Sequence, residues 1–70
     1  MMPLSLAIIG EENTIKSIGG SPEVKQHLAN LGFIVGGQVT IVNSINGNII
    51  VNVKDSRIAL DRSLANKINI

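Results

Sequence analysis

Gln38-Val39-Thr40-Ile41-Val42-Asn43-Ser44-Ile45-Asn46-Gly47-Asn48-Ile49-Ile50-Val51-Asn52-Val53-Lys54 is the stretch on which the fold turns. Two β-branched runs flank Asn46-Gly47, the strongest short-range hairpin signal a sequence can carry, because both residues tolerate positive φ. The runs carry their apolar residues with period two, but not in one parity. A two-residue Asn46-Gly47 turn pairs Ile41 with Asn52 and Val42 with Val51, which sets Val39 and Ile41 on the face opposite Val51 and Val53. A three-residue loop, Ile45-Asn46-Gly47 with Gly47 left-handed, instead pairs Val39 with Val53 and Ile41 with Val51. A one-residue slip flips every side chain, so the register that unites both apolar sets is the one expected. It leaves Val42 paired with Ile50 on the outer face, beside the pairs Thr40 with Asn52 and Gln38 with Lys54.

Working outward, Gly36-Gly37 turns the chain into this hairpin, and a helix precedes it. Ser21 is a cap, Pro22 suits the first helical position and Glu23 belongs in the first turn. Val24, Leu28 and Leu31 make one apolar stripe, and Gly32 ends the helix left-handed so that Phe33 folds back onto Leu28. The helix therefore spans residues 22–31. Upstream, Leu4, Leu6 and Ile8 alternate as a strand or arm with the even positions inward, residues 10–13 form a turn, and residues 14–18 form a β run. Ile15 and Ile18 have opposite parity, which demands a bend or bulge in that run. Downstream, residues 54–57 turn the chain, Ile58-Ala59-Leu60 is a short strand, and Asp61 caps a single helical or 3₁₀ turn through Leu64 and Ala65. Asn66 leaves it in the left-handed conformation, and residues 67–70 alternate as a last strand.

Five or six short strands, one inserted helix and a helical turn before the last strand describe a mainly β single domain, a small SH3-like barrel whose closure protects its strand edges. The 70 residues leave no room for a second core, so function belongs on the outer surface.

Composition narrows the chemistry. With no cysteine, disulfides, thiolate metal sites and cysteine nucleophiles are all excluded. Six basic and five acidic residues are scattered without a run, and Phe33 is the sole aromatic, so neither phosphate neutralisation nor base stacking is provided for and nucleic acid is not an expected partner. The apolar opening is too short for a membrane span and lacks a basic leader and cleavage site, so it is read as folded core without membrane insertion. His27, the single histidine, has Glu23 one turn away, but two ligands do not make a metal site and a solvated histidine is the simpler reading. No serine shows a nucleophile motif, and Gly19-Gly20 and Gly36-Gly37 lack the lysine of a phosphate loop. No enzyme activity, cofactor or resident metal is expected.

The opening Pro3-Leu4-Ser5-Leu6-Ala7, the stretch from His27 to Val39 containing Leu31-Gly32-Phe33-Ile34, and the close from Ser56 to Ile68 together resemble the FeoA family of ferrous-iron transport accessory proteins along nearly the whole chain. Family members usually carry proline where Val35 stands. The resemblance implies an SH3-like barrel in the cytoplasm, a regulatory binding protein that docks on the membrane GTPase transporter for ferrous iron, the FeoB type. An SH3-like nucleic-acid module and an iron-binding chaperone or sensor, which would need ligands shared in an oligomer, are the competing classes. For the partner surface, Val42 and Ile50 offer an apolar centre with a polar rim, with Arg57 and Arg62 as orienting charges and Lys54 beside them at the third turn. A weak homo-oligomer would use the same face.

Overall fold

The structure is a computed structural model describing residues 1–70. After a single 3₁₀ turn at Leu4–Leu6, the order is β1 (Glu12–Thr14), β2 (Ser17–Ile18), α1 (Pro22–Leu31), β3 (Gln38–Ile45), β4 (Asn48–Val53), β5 (Ser56–Asp61), α2 (Arg62–Ala65) and β6 (Ile68–Asn69). Antiparallel pairing gives a four-stranded sheet in the order β1-β3-β4-β5 and a two-stranded sheet of β2 and β6. The result is the mainly β, SH3-like small barrel expected from the strand pattern.

The hairpin resolves its register conflict in a way the sequence reading did not choose. Ile45 pairs with Asn48 around a two-residue turn, Asn46 and Gly47 both standing at positive φ (49° and 83°) as that turn requires. The ladder then runs Ser44 to Ile49 and Asn43 to Ile50, slips by one residue, and continues with Ile41 opposite Val51 and Thr40 opposite Asn52. The extra residue sits in the strand as a bulge at Val42, not in the loop as expected. Turn chemistry and the buried face are thereby both satisfied: Val39, Ile41, Ile49, Val51 and Val53 all lie in the core. The expected direct pairing of Val42 with Ile50 is lost, since Asn43 is the register partner of Ile50.

Helix α1 has the expected bounds. Ser21 Oγ accepts from the Val24 N–H at 3.3 Å, and Gly32 stands at φ 107°. The Gly32 N–H bonds to Ala29 O and the Phe33 N–H to Leu28 O, closing a Schellman motif that drives Phe33 into the centre of the core. Leu28 is buried with it, while Val24 and Leu31 pack partly buried at its margin.

Three expectations elsewhere need correction. The opening is not an alternating strand: Leu4 is buried, but Leu6 and Ile8 are 66% and 65% exposed, because the 3₁₀ turn at residues 4–6 removes the period of two. Two turns are shorter than expected: residues 12 and 13 pair with β3 as part of β1, and Ser56 and Arg57 open β5 opposite Val53 and Asn52. Asn66 is right-handed (φ −67°), and its side chain instead accepts from the Ser5 hydroxyl. The bend demanded by Ile15 and Ile18 is present, since the chain leaves β1 at Ile15, whose N–H bonds to Gly37 O, and enters the second sheet at Ser17. There β6 lies between Ser17–Ile18 and the amino-terminal segment, with Met2 and Ile70 exchanging both main-chain hydrogen bonds. Closure of the barrel thus joins the two ends of the chain.

Candidate functional site on the outer sheet face

Alternation along β3, β4 and β5 sends one set of side chains to the core and the other to a common outer face. In register across all four strands of that face stand Glu12, Thr40, Asn52 and Arg57. Glu12, Asn52 and Arg57 of this row, with Gln38, Lys54 and Asp55, line an open groove of about 640 Å³ without a single apolar side chain. Two carboxylates face two cations there, so the groove is polar and nearly neutral. Gln38 is held in place by its Nε2 donating to Thr14 Oγ1 at 3.1 Å.

One wall of the groove is built from strained backbone. Lys54 and Asp55 form the tight turn between β4 and β5 with φ of 48° and 63°, a left-handed pair in which neither residue is glycine. Each L residue held there costs roughly 1–2 kcal/mol, so the turn is kept at the expense of stability while it projects two opposite charges at the groove.

Beyond the groove towards α2 the outer face turns apolar. Val42 and Ile50 are half-buried, and Ile50 is flanked in register by Asn43 on one side and Ala59 on the other. The structure brings Arg57 and Lys54 to the groove but separates Arg62 from them. Arg62 opens α2 just after Asp61, at the far end of a strand that rises about 3.3 Å per residue, so the reading that Lys54, Arg57 and Arg62 cluster at the third turn is not met. Gln38 and Asn52, expected on the polar rim of the outer face, stand in the groove, whereas Glu12 and Asp55 are groove residues that the sequence reading passed over. What hid Glu12 was the reading of residues 10–13 as turn, since its outer-face place follows only from its pairing with Thr40, and Asp55 was read as a turn residue alone.

His27 and Glu23 are exposed on the solvent side of α1, and no three His, Cys, Asp or Glu side chains converge into a metal-binding group. No helix is long and apolar enough to cross a membrane.

The profile of the FeoA domain family matches residues 2–70. A protein of Methanocaldococcus jannaschii assigned by name to Fe(2+) transport as transport protein A is 36% identical over 70 residues, covering all of this chain and 85% of that protein. Among solved structures, an iron uptake regulatory protein, FeoA, superposes with a TM-score of 0.88 at 28% identity over 96% of this chain and 89% of its own. The fold also matches the zinc complex of Stenotrophomonas maltophilia FeoA, described as a prokaryotic SH3 domain protein, with a TM-score of 0.85 at 24% identity over 99% of this chain and 88% of that one. With a family match and a full-length relative agreeing with the barrel described above, the chain belongs to the FeoA domain family.

Proposed function

We propose that the chain is a cytoplasmic accessory protein of ferrous-iron uptake that works by binding, not by catalysis, and that it docks through its outer sheet face on the GTPase region of a membrane ferrous-iron transporter. Its kinship with a protein named for Fe(2+) transport supports the process. The observation that carries the surface is the register row Glu12, Thr40, Asn52 and Arg57, three of whose members, Glu12, Asn52 and Arg57, line a groove of opposite charges beside half-buried Val42 and Ile50. A wholly polar, open groove suits a folded protein surface presenting paired charges better than it suits a small apolar ligand, which needs an enclosed apolar pocket. Glu12 and Asp55 offset Lys54 and Arg57, which disfavours a phosphate backbone as the occupant.

The test is co-purification of the chain with the nucleotide-binding half of a ferrous-iron transporter GTPase, with GTP hydrolysis measured alongside. Lys54→Glu with Arg57→Glu should abolish association and leave the thermal melt unchanged, because both residues are exposed. Arg62→Ala, away from the groove, should have a smaller effect. Val42→Ser with Ile50→Ser tests the apolar strip, its melt being compared first because both side chains are partly buried. Undiminished association of the charge-reversed protein would reject this face and turn attention to α1.

A further inference from the structure

The strand order leaves β5 paired on one side only, with β4. The two-residue turn at Lys54-Asp55 fixes which of its main-chain groups stay free. The pair flanking such a turn, Val53 and Ser56, exchanges both hydrogen bonds, and alternation makes Ile58 and Leu60 the next bonded partners of Val51 and Ile49. The N–H groups of Arg57, Ala59 and Asp61 therefore point away from the sheet, and no turn, loop or cap hydrogen bond takes them up. All three residues are exposed, so nothing in the fold covers this edge. A bare six-residue edge is a template for another strand.

We propose that β5 is a self-association edge, on which a second copy of this chain pairs its own β5 antiparallel, with Ala59 facing the partner's Ala59. The charge order along Arg57-Ile58-Ala59-Leu60-Asp61 selects both the occupant and the register. Only Arg57, Ala59 and Asp61 present free groups, so pairing must join members of this set. Centring on Arg57 or on Asp61 opposes like charges, and setting Arg57 against the partner's Ala59 brings Asp61 against the partner's Asp55. Centring on Ala59 alone places Arg57 opposite the partner's Asp61 twice over, as the two-fold symmetry requires. It also sets half-buried Ile58 against the partner's Leu60 and lets the two sheets approach closely across alanine. Asp61 remains competent in this role, because Oδ1 caps the Leu64 N–H at 2.8 Å while Oδ2 is free to accept from an arginine.

Sedimentation velocity across a concentration series, together with amide exchange of Ala59, tests the proposal on the full chain. Expected is reversible dimerisation with the Ala59 N–H gaining protection as the dimer forms. Arg57→Asp should weaken the dimer roughly tenfold or more, and mixing Arg57→Asp with Asp61→Arg should restore a heterodimer to within about threefold of the wild-type constant, because the mixture re-establishes both opposite-charge pairs. Melting curves check that each variant is folded. Ala59→Pro removes the central donor without costing a bond to β4 and should give a monomer. A wild-type chain that stays monomeric to about 1 mM overturns the proposal. So does a dimer indifferent to Arg57→Asp, or a monomer whose β5 edge takes an extended peptide of another protein instead.

Discussion

At the scale of the residue, two positions show how backbone conformation decides what a side chain can do. Phe33 owes its complete burial to Gly32, whose left-handed φ turns the chain back across the end of α1. Phe33→Ala should cost roughly 3–5 kcal/mol, a large part of the stability of so small a domain, and denaturant titration should find the variant largely unfolded. A cooperative transition close to that of the wild type would remove Phe33 from the centre of the core. Lys54 and Asp55 make the opposite bargain with conformation. Replacing Lys54 by Asn and Asp55 by Gly supplies the residues that the left-handed turn favours and should raise stability by about 1–2 kcal/mol, while removing two charges from the groove. If the groove is the docking surface, the more stable protein binds the transporter GTPase less well. A variant gaining stability with its binding intact would separate the strained turn from function.

At the scale of the element, the β3–β4 hairpin is where two local rules collide. Asn46-Gly47 demands a two-residue turn, the burial of Ile41 with Val51 demands the neighbouring register, and the bulge at Val42 lets both hold. Deleting Val42 should therefore leave a regular ladder with every buried partner in place, at a cost of about 1 kcal/mol for the half-buried valine side chain. Amide exchange should show Ile49 and Val51 still protected; their loss of protection would mean that the bulge is needed for more than register. Gly47 has φ 83° and open space around its α-carbon, so Gly47→Val meets no neighbour and its cost is purely conformational. At least about 1 kcal/mol of destabilisation is expected from thermal melts, and no loss at all would show that the turn has another accessible geometry. The sequence named both competing registers correctly and located the conflict. It did not place the extra residue, because a bulge inside a strand and a longer loop present the same parity to a reader who has only the order of side chains.

At the scale of the whole molecule, stability depends on contacts between the ends of the chain. Residues 68–70 supply the buried Ile68 and Ile70 and the strand that joins Ser17–Ile18 to Met2, so they are the keystone of the second sheet. Removing residues 68–70 should unfold the domain, since each isoleucine lost from the core costs about 2–5 kcal/mol even when only truncated to alanine. A cooperative melt of the shortened chain would show that the four-stranded sheet is stable alone.

Much was legible without coordinates because it is written in short-range chemistry. The cap at Ser21, the left-handed Gly32, the stripe on α1, the cap at Asp61 and the bend forced by Ile15 and Ile18 each follow from residues within a few positions of one another, and together with the FeoA resemblance they define the mainly β barrel. The pairing of Glu12 with Thr40, the gathering of six polar side chains round one groove, the distance of Arg62 from it and the bare edge of β5 were settled by tertiary structure alone. Each depends on which strands become neighbours and which are left without one, and that choice is made when the whole core closes, by side chains far apart in the chain.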